Sequence, residues 1–344
     1  MKIILLPIFL IATNIYLCAQ PQITSSFEID KEVYDIVFRN DLEGYALTSD
    51  VVWGTTDAGT TWEVVVPLGF RPPLSAIALF EEKGLILGDQ DGGFHITSDL
   101  NAGWLWIPPD EGGSIVAIEA IDRERWTAIT DSTILSTIDG GTTFRKFRSP
   151  SNNASLFVAL SITDDSLMYV AERMYGTWRS SDGGATWNAF GSPEFGFGFL
   201  YDIQFISPDT GFVASWYPWN LFTTFDGGKT WSPGPFEYPT SIAVTRDGIG
   251  AYTTPFYMRF SNDGGITWPD SLQYDETFPE ELLGYEARQK VVITGSHSFF
   301  LLLSNPETGK SVVARIDKPS GLLEERGFVP GQLDLSQVSN YARQ

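Results

Sequence analysis

The sequence predicts an all-β fold, a seven-bladed β-propeller of four-stranded antiparallel blades, on three observations. An eight-residue pattern of the form Ser/Thr-x-Asp-x-Gly-x-Thr-Trp recurs along the chain. Its closing aromatics, Trp62, Trp106, Phe144, Trp187, Trp231 and Trp268, stand 44, 38, 43, 44 and 37 residues apart. Short β-branched and aromatic runs, separated by turn residues, fill each interval. Repetition at such a period marks a stacked or radial architecture, and four strands per repeat is propeller geometry. A chain of 344 residues would otherwise be read as two domains.

Five copies of the octet are intact: Thr55–Trp62, Thr137–Phe144, Ser180–Trp187, Thr224–Trp231 and Ser261–Trp268. A sixth, Asp99–Trp106, is degenerate, with Asn101 at the aspartate position, and a seventh survives only as Ser304–Lys310. A short aspartate in a tight turn accepts hydrogen bonds from backbone N–H groups a few residues on. Glycine supplies the positive φ, and the closing aromatic packs between sheets. Asp57, Asn101, Asp139, Asp182, Asp226 and Asp263 are therefore structural staples of a hairpin between the third and fourth strands.

Strand patterns fit around these hairpins. Blade one reads Val33–Phe38, Gly44–Thr48, Val51–Thr55 and Trp62–Val66; blade five reads Tyr201–Phe205, Gly211–Trp216, Leu221–Thr224 and Trp231 onward. The last blade is expected from Leu282–Glu286, Lys290–Thr294, Phe299–Ser304 and Ser311–Ile316. Residues 23 to 30 are a candidate extra strand that helps close the ring.

Residues 1–20 are expected to be a secretory signal peptide: Lys2 precedes an apolar run, Ile3 to Ala12, too short to span a bilayer. Lipoprotein anchoring through Cys18 is disfavoured by Leu17 before the cysteine. The propeller would occupy 21–319, with 320–344 a closing segment or tail. Cys18 is the only cysteine, so the processed chain has no disulfide or thiol chemistry. Its net charge would be −21 − 1 = −22, which argues against nucleic-acid partners. No membrane insertion is expected after cleavage, and no cofactor or metal.

Because strands alternate in direction, the octet hairpins share one face with the turns between first and second strands. The turns between second and third strands, and the links between blades, share the other. That second face carries aromatic residues in blades four to six: Tyr175, Trp178, Trp216, Tyr217, Trp219, Phe256 and Tyr257, with Glu172 beside them. Rings with polar edges are efficient contact groups, so these residues are the candidate ligand-binding set for a protein or glycan. The earlier blades carry acids there instead, Asp50, Asp89, Asp91 and Asp131. If the chain were an enzyme, Asp89, Asp91, Asp131 and Glu172 would be the candidate catalytic carboxylates of a glycoside hydrolase or lyase. Asp89-Gln-Asp91-Gly-Gly also has the start of a calcium loop, without its later ligands.

The octet resembles the Asp-box, or BNR, repeat of sialidase-like propellers, over residues 30 to about 319. In that class the repeat is peripheral and structural. Sialidases add an Arg-Ile-Pro motif and an arginine triad. Here only Arg71-Pro72-Pro73 stands near the former, which argues against that activity. Xyloglucan-cleaving relatives use two tandem propellers, and this chain has length for one. His95 and His297 belong to different blades, and no nucleophile elbow or nucleotide fingerprint occurs. The overall pattern is most similar to single-domain propellers of the photosystem II assembly factor type, which implies a non-catalytic binding or scaffold role. Sortilin-type receptor propellers point the same way.

Overall fold

The computed structural model describes residues 21–66, 73–110, 112–150, 156–164, 166–174, 176–191, 198–274, 286–294, 298–305 and 307–317. The expected signal peptide, 1–20, and the expected C-terminal segment, 320–344, lie outside them.

The described strands form seven antiparallel sheets of four. Six use consecutive strands. Blade one comprises Val33–Phe38, Gly44–Thr48, Val52–Thr55 and Glu63–Val66. Blade two follows with Leu74–Phe80, Gly84–Asp89, Phe94–Thr97 and Leu105–Ile107. Ile115–Ala120, Trp126–Thr130, Thr133–Thr137 and Arg145–Arg148 make blade three. Phe157–Ile162, Met168–Glu172, Gly176–Ser180 and Asn188–Phe190 make blade four. Blade five is Leu200–Phe205, Gly211–Ser215, Asn220–Thr224 and Ser232–Phe236. Blade six is Ser241–Val244, Gly250–Thr253, Tyr257–Ser261 and Asp270–Gln273.

Blade seven is built differently. Glu286–Ile293, Ser298–Asn305 and Lys310–Asp317 supply its first three strands, and Gln22–Ile29 from the N-terminal end supplies the fourth. Gln22 pairs with Asp317 and Ile29 with Ser311. This corrects the sequence expectation in two places. Lys290 lies on the first strand of the blade, not its second. Ser304–Lys310 is the turn between second and third strands, so it is not a worn octet. In place of a local third-to-fourth strand hairpin, this blade pairs two segments far apart in sequence, Lys310–Asp317 and Gln22–Ile29.

The second and third strands are buried on both faces, while the outermost are mostly exposed. Apolar clusters fill the seams between neighbouring blades. Ile86, Phe94 and Ile96 of blade two meet Ile115, Trp126 and Leu135 of blade three, for example. Each closing aromatic enters the seam behind its own blade. Trp62 packs with Phe300, Phe144 with Phe94, Trp231 with Phe205 and Trp268 with Tyr252.

The octet geometry repeats closely. The Thr61 backbone N–H donates to Asp57 Oδ1 at 2.9 Å and its hydroxyl to Oδ2 at 2.6 Å. Asp139 with Thr143, Asp182 with Thr186, Asp226 with Thr230 and Asp263 with Thr267 repeat both bonds. Gly141 has φ of 86°, and a Cβ there would stand 2.3 Å from the Ile107 side chain, so glycine is required by both backbone and space.

Blade two departs from the expected register. Its third strand ends at Thr97, as blade one's ends at Thr55. The Asp99 N–H donates to Thr97 Oγ1 at 3.3 Å, matching Asp57 and Thr55 at 3.4 Å. Asp99 therefore holds the aspartate position, Asn101 the glycine position, and Trp104 the closing aromatic. Trp104 packs in the seam between blades one and two, whereas Trp106 is 53% exposed. The expected assignment to Asn101 and Trp106 is two residues out of phase, because a second tryptophan and the placement of the one glycine, Gly103, favour the shifted match. With Trp104 the intervals become 42 and 40 residues, closer to even.

Candidate functional site

Two of the four candidate carboxylates, Asp89 and Glu172, are buried and engaged within the fold. Asp89 ends the second strand of blade two and is fully buried. Its Oδ1 accepts the N–H groups of Asp91 at 3.0 Å and Gly93 at 2.8 Å. Thr130 does the same for the Ser132 and Thr133 N–H groups one blade on. Asp89 is thus a turn cap. Its Oδ2 faces His95 Nε2 at 3.5 Å. Burial pushes the carboxyl up, but His95 and the two N–H donors outweigh that and hold it below the usual range. Asp91 and Asp131 are exposed in the turns of blades two and three.

Glu172, expected at the ligand surface, is buried completely. The Ser149 hydroxyl donates to its Oε1 and the Trp178 indole N–H to its Oε2, both at 2.6 Å. Trp178 lies within the third strand of blade four, opposite Val170 and Ala189, with its ring 5.0 Å from Phe147 of blade three. The second strand runs on to Glu172, so this pair buttresses the seam between blades three and four, with Glu172 withdrawn from the surface and Trp178 half-buried. Tyr175 and His297 lie outside the described residues. Among the described residues no three His, Cys, Asp or Glu side chains converge as a metal site.

The aromatic residues of blades five and six behave otherwise. Trp216 is 39% exposed, Tyr217 55% and Phe256 64%; Trp219 and Tyr257 are half-buried. The first three of the blade-five rings stand in the turn between second and third strands, past the last ladder pair. They join two others into a continuous strip. Tyr201, on the innermost strand, meets Trp216 at 6.0 Å; Trp216 meets Tyr238 at 5.2 Å; Tyr238 meets Trp219 at 5.6 Å; Trp219 meets Tyr217 at 5.5 Å. Trp216, Tyr217, Trp219 and Tyr238 belong to none of the buried apolar clusters between blades. Phe236, 70% exposed, flanks them.

Backbone strain marks the same place. Trp219 has φ of 66° and Tyr238 of 53°, the left-handed region that bulky residues avoid at a cost of roughly 1–3 kcal/mol each. The Glu237 N–H donates to the Trp219 carbonyl at 2.9 Å, tying the two segments together. Sequence reasoning missed Phe236, Glu237 and Tyr238. The signal was present: Phe236 ends the last strand of blade five, and Glu237 and Tyr238 begin the link to blade six, on the face where the aromatic residues of blades four to six gather.

A second polar feature was also missed, in the innermost strands. Their side chains bond across to the next blade. Glu119 accepts the Ile162 N–H at 2.6 Å, Asp202 accepts the Ile242 N–H at 2.9 Å, and Gln204 accepts the Val244 N–H at 2.7 Å. Lys290 pairs with Asp35. Burial pushes Glu119 up to about 8 and Asp202 up to about 6. Burial alone would lower the Lys290 ammonium, but Asp35, Asp202 and Glu119 hold it above its ordinary value. The repeated tripeptides Tyr34-Asp35-Ile36 and Tyr201-Asp202-Ile203 were the available clue. Cavities lie elsewhere too: one of about 480 Å³ opens beside the first octet, lined by Glu43, Tyr45, Thr55, Trp62 and Glu63 among others. None of the candidate binding or catalytic residues lines it.

Fold and hairpin geometry together define the class: the chain is a seven-bladed β-propeller built on Asp-box repeats. The family model for the BNR/Asp-box repeat matches residues 222–233, the fourth intact octet with its flanks. No curated protein sequence matches the chain. Solved structures share the fold. A structure of YCF48 bound to D1 peptide superposes with TM-score 0.66 at 16% identity, covering 84% of this chain and 96% of that one. YCF48 from Cyanidioschyzon merolae gives 0.62 at 16% identity, over 84% and 98%. Virginiamycin B lyase from Staphylococcus aureus gives 0.65 at 12% identity, over 84% and 98%. At such identities the likeness is one of fold.

Proposed function

We propose that this chain is a non-catalytic binding propeller that captures an extended segment of a partner protein on the aromatic strip of blades five and six. One observation carries the reading. Trp216, Tyr217 and Trp219 are large rings in a turn, outside the inter-blade core, and 39% and 55% of the first two is open to solvent. Folding gains little from rings so placed, whereas a partner burying them gains contact area at small entropic cost. A peptide fits the strip better than a glycan. Neighbouring rings are tilted by 47° to 83°, so no two lie coplanar as a platform for stacked sugars. They leave ridges and slots suited to side chains. That YCF48, a propeller of the same fold, has been captured with D1 peptide supports the same use of the architecture.

A glycosidase reading loses support because the Asp89 and Glu172 carboxylates are buried and engaged within the fold. The apolar run at Ile3–Ala12 supports export, which would put the partner outside the cytoplasm. Selection from a random-sequence peptide library, run beside a glycan array, tests the reading. Peptides whose binding is lost on Trp216→Ala with Trp219→Ala are expected. Glycan binding with no peptide enrichment would overturn it.

A further inference from the structure

The strip is assembled from separate parts of the chain. Tyr201 comes from an innermost strand, Trp216 to Trp219 from a turn, and Tyr238 from the link between blades five and six. Two of its five rings sit on left-handed backbone, at Trp219 and Tyr238. A link holding a tyrosine in that conformation relaxes unless its surroundings over-determine it. The surroundings here are specific. Arg259, on the third strand of blade six, donates from Nη2 to Glu237 Oε1 at 2.5 Å and from Nε to Oε2 at 3.1 Å. The buried Tyr252 hydroxyl donates to the same Glu237 carboxylate. The guanidinium rests over the Tyr257 ring, 5.2 Å from its centroid. Glu237 in turn donates its N–H to the Trp219 carbonyl, and the next residue is Tyr238, wedged between Trp216 and Trp219.

We infer that Arg259 is the positioning residue of the recognition strip: through its two-point grip on Glu237 it locks Trp219 and Tyr238 in strained backbone and so fixes the ring array before the partner arrives. This deepens the reading above and rests on it. An arginine is required because only a planar fork engages both carboxylate oxygens at once. Blade six thus determines the shape of a surface made mostly by blade five. Pre-organisation of this kind raises affinity by removing the ordering cost at binding.

The test uses a peptide selected on the wild-type protein, its affinity measured for the full chain carrying Arg259→Met, Arg259→Lys, Glu237→Gln, or Trp216→Ala with Trp219→Ala. Arg259→Met is expected to weaken binding by about fivefold or more while thermal melting is nearly retained. The near-ultraviolet circular dichroism of the coupled rings should change with it. Arg259→Lys, which keeps charge without the fork, should fall between. Glu237→Gln, which loses the carboxylate, should weaken binding without removing any ring, and it stands in if Arg259→Met fails to fold. Wild-type affinity in Arg259→Met or in Glu237→Gln, with the tryptophan pair still essential, would overturn the clamp and leave the binding face standing. Undiminished binding by the tryptophan double variant would instead overturn the binding face itself.

Discussion

Replacing Glu119 by glutamine should make the propeller more stable above neutral pH and leave it nearly unchanged near pH 4.5. Glu119 lies on the innermost strand of blade three, where its Oε2 accepts the Ile162 N–H of blade four. Burial pushes its carboxyl from 4.5 up to about 8, with Asp202 adding a like charge and Lys290 giving only partial relief. The folded state therefore holds this proton more tightly than the unfolded state. The associated stability is fully present below the unfolded value of 4.5 and is lost as pH rises through about 8. At about 1.4 kcal/mol per unit, discounted for solvent screening, the loss is on the order of 2–4 kcal/mol. Glutamine keeps an oxygen for Ile162 and carries no charge, so it escapes that loss. Chemical denaturation of wild type and Glu119→Gln at pH 5 and pH 8.5 measures the difference. Parallel pH dependence in the two proteins, or a variant less stable than wild type at pH 8.5, would refute the reasoning. Asp202, pushed up to about 6, should add a smaller fall in the same direction between about pH 4 and 6.

The octet aspartates Asp57, Asp139, Asp182 and Asp226 have the opposite sign. Asp182 is held down to about 2 by the Thr186 hydroxyl and N–H, so its contribution is present above the ordinary carboxylate value and lost as pH falls through about 2. Asp182→Ala, Asp226→Ala and Asp263→Ala should each cost about 1–2 kcal/mol by denaturant titration, through loss of turn acceptors. Peptide capture well below the melting temperature should survive in all three, and its loss with unchanged melting would put the functional surface on the octet face. Chelator should leave the melting temperature unmoved, because Asp89 spends its oxygens on its own turn and on His95; a calcium-dependent rise would contradict that assignment.

The legibility of the sequence was uneven for physical reasons. The octet is a local device: Asp57 and Thr61 bond within four residues, so the pattern survives in one dimension and marks the hairpin of each of the first six blades. The closing strand from Gln22 to Ile29 depends on pairing with Lys310–Asp317, nearly three hundred residues away, and no local signal says which blade it joins. Blade two was misphased because Asn101, Gly103, Trp104 and Trp106 admit two alignments, and only the end of the strand at Thr97 decides between them. On the candidate site, residue type was informative and burial was not. Glu172 and Trp178 have the composition of a binding surface, yet they satisfy each other in a seam. Trp216 and Tyr217 differ from them only in lying beyond the last ladder pair at Ser215. Tyr238 and Arg259 escaped notice because their roles come from contacts between links and neighbouring blades.

The central claim is that the exposed rings of blade five serve a partner and not the fold. Trp216→Ala with Trp219→Ala, measured in one sample for thermal melting and for affinity toward a peptide selected on the wild-type protein, tests it most directly. The account predicts melting close to wild type and affinity reduced by roughly tenfold or more, on the order of 1.4 kcal/mol or above. If the rings were inter-blade core, truncating both would remove several kcal/mol of stability. A collapsed melting temperature, or normal melting with undiminished affinity, would contradict the account.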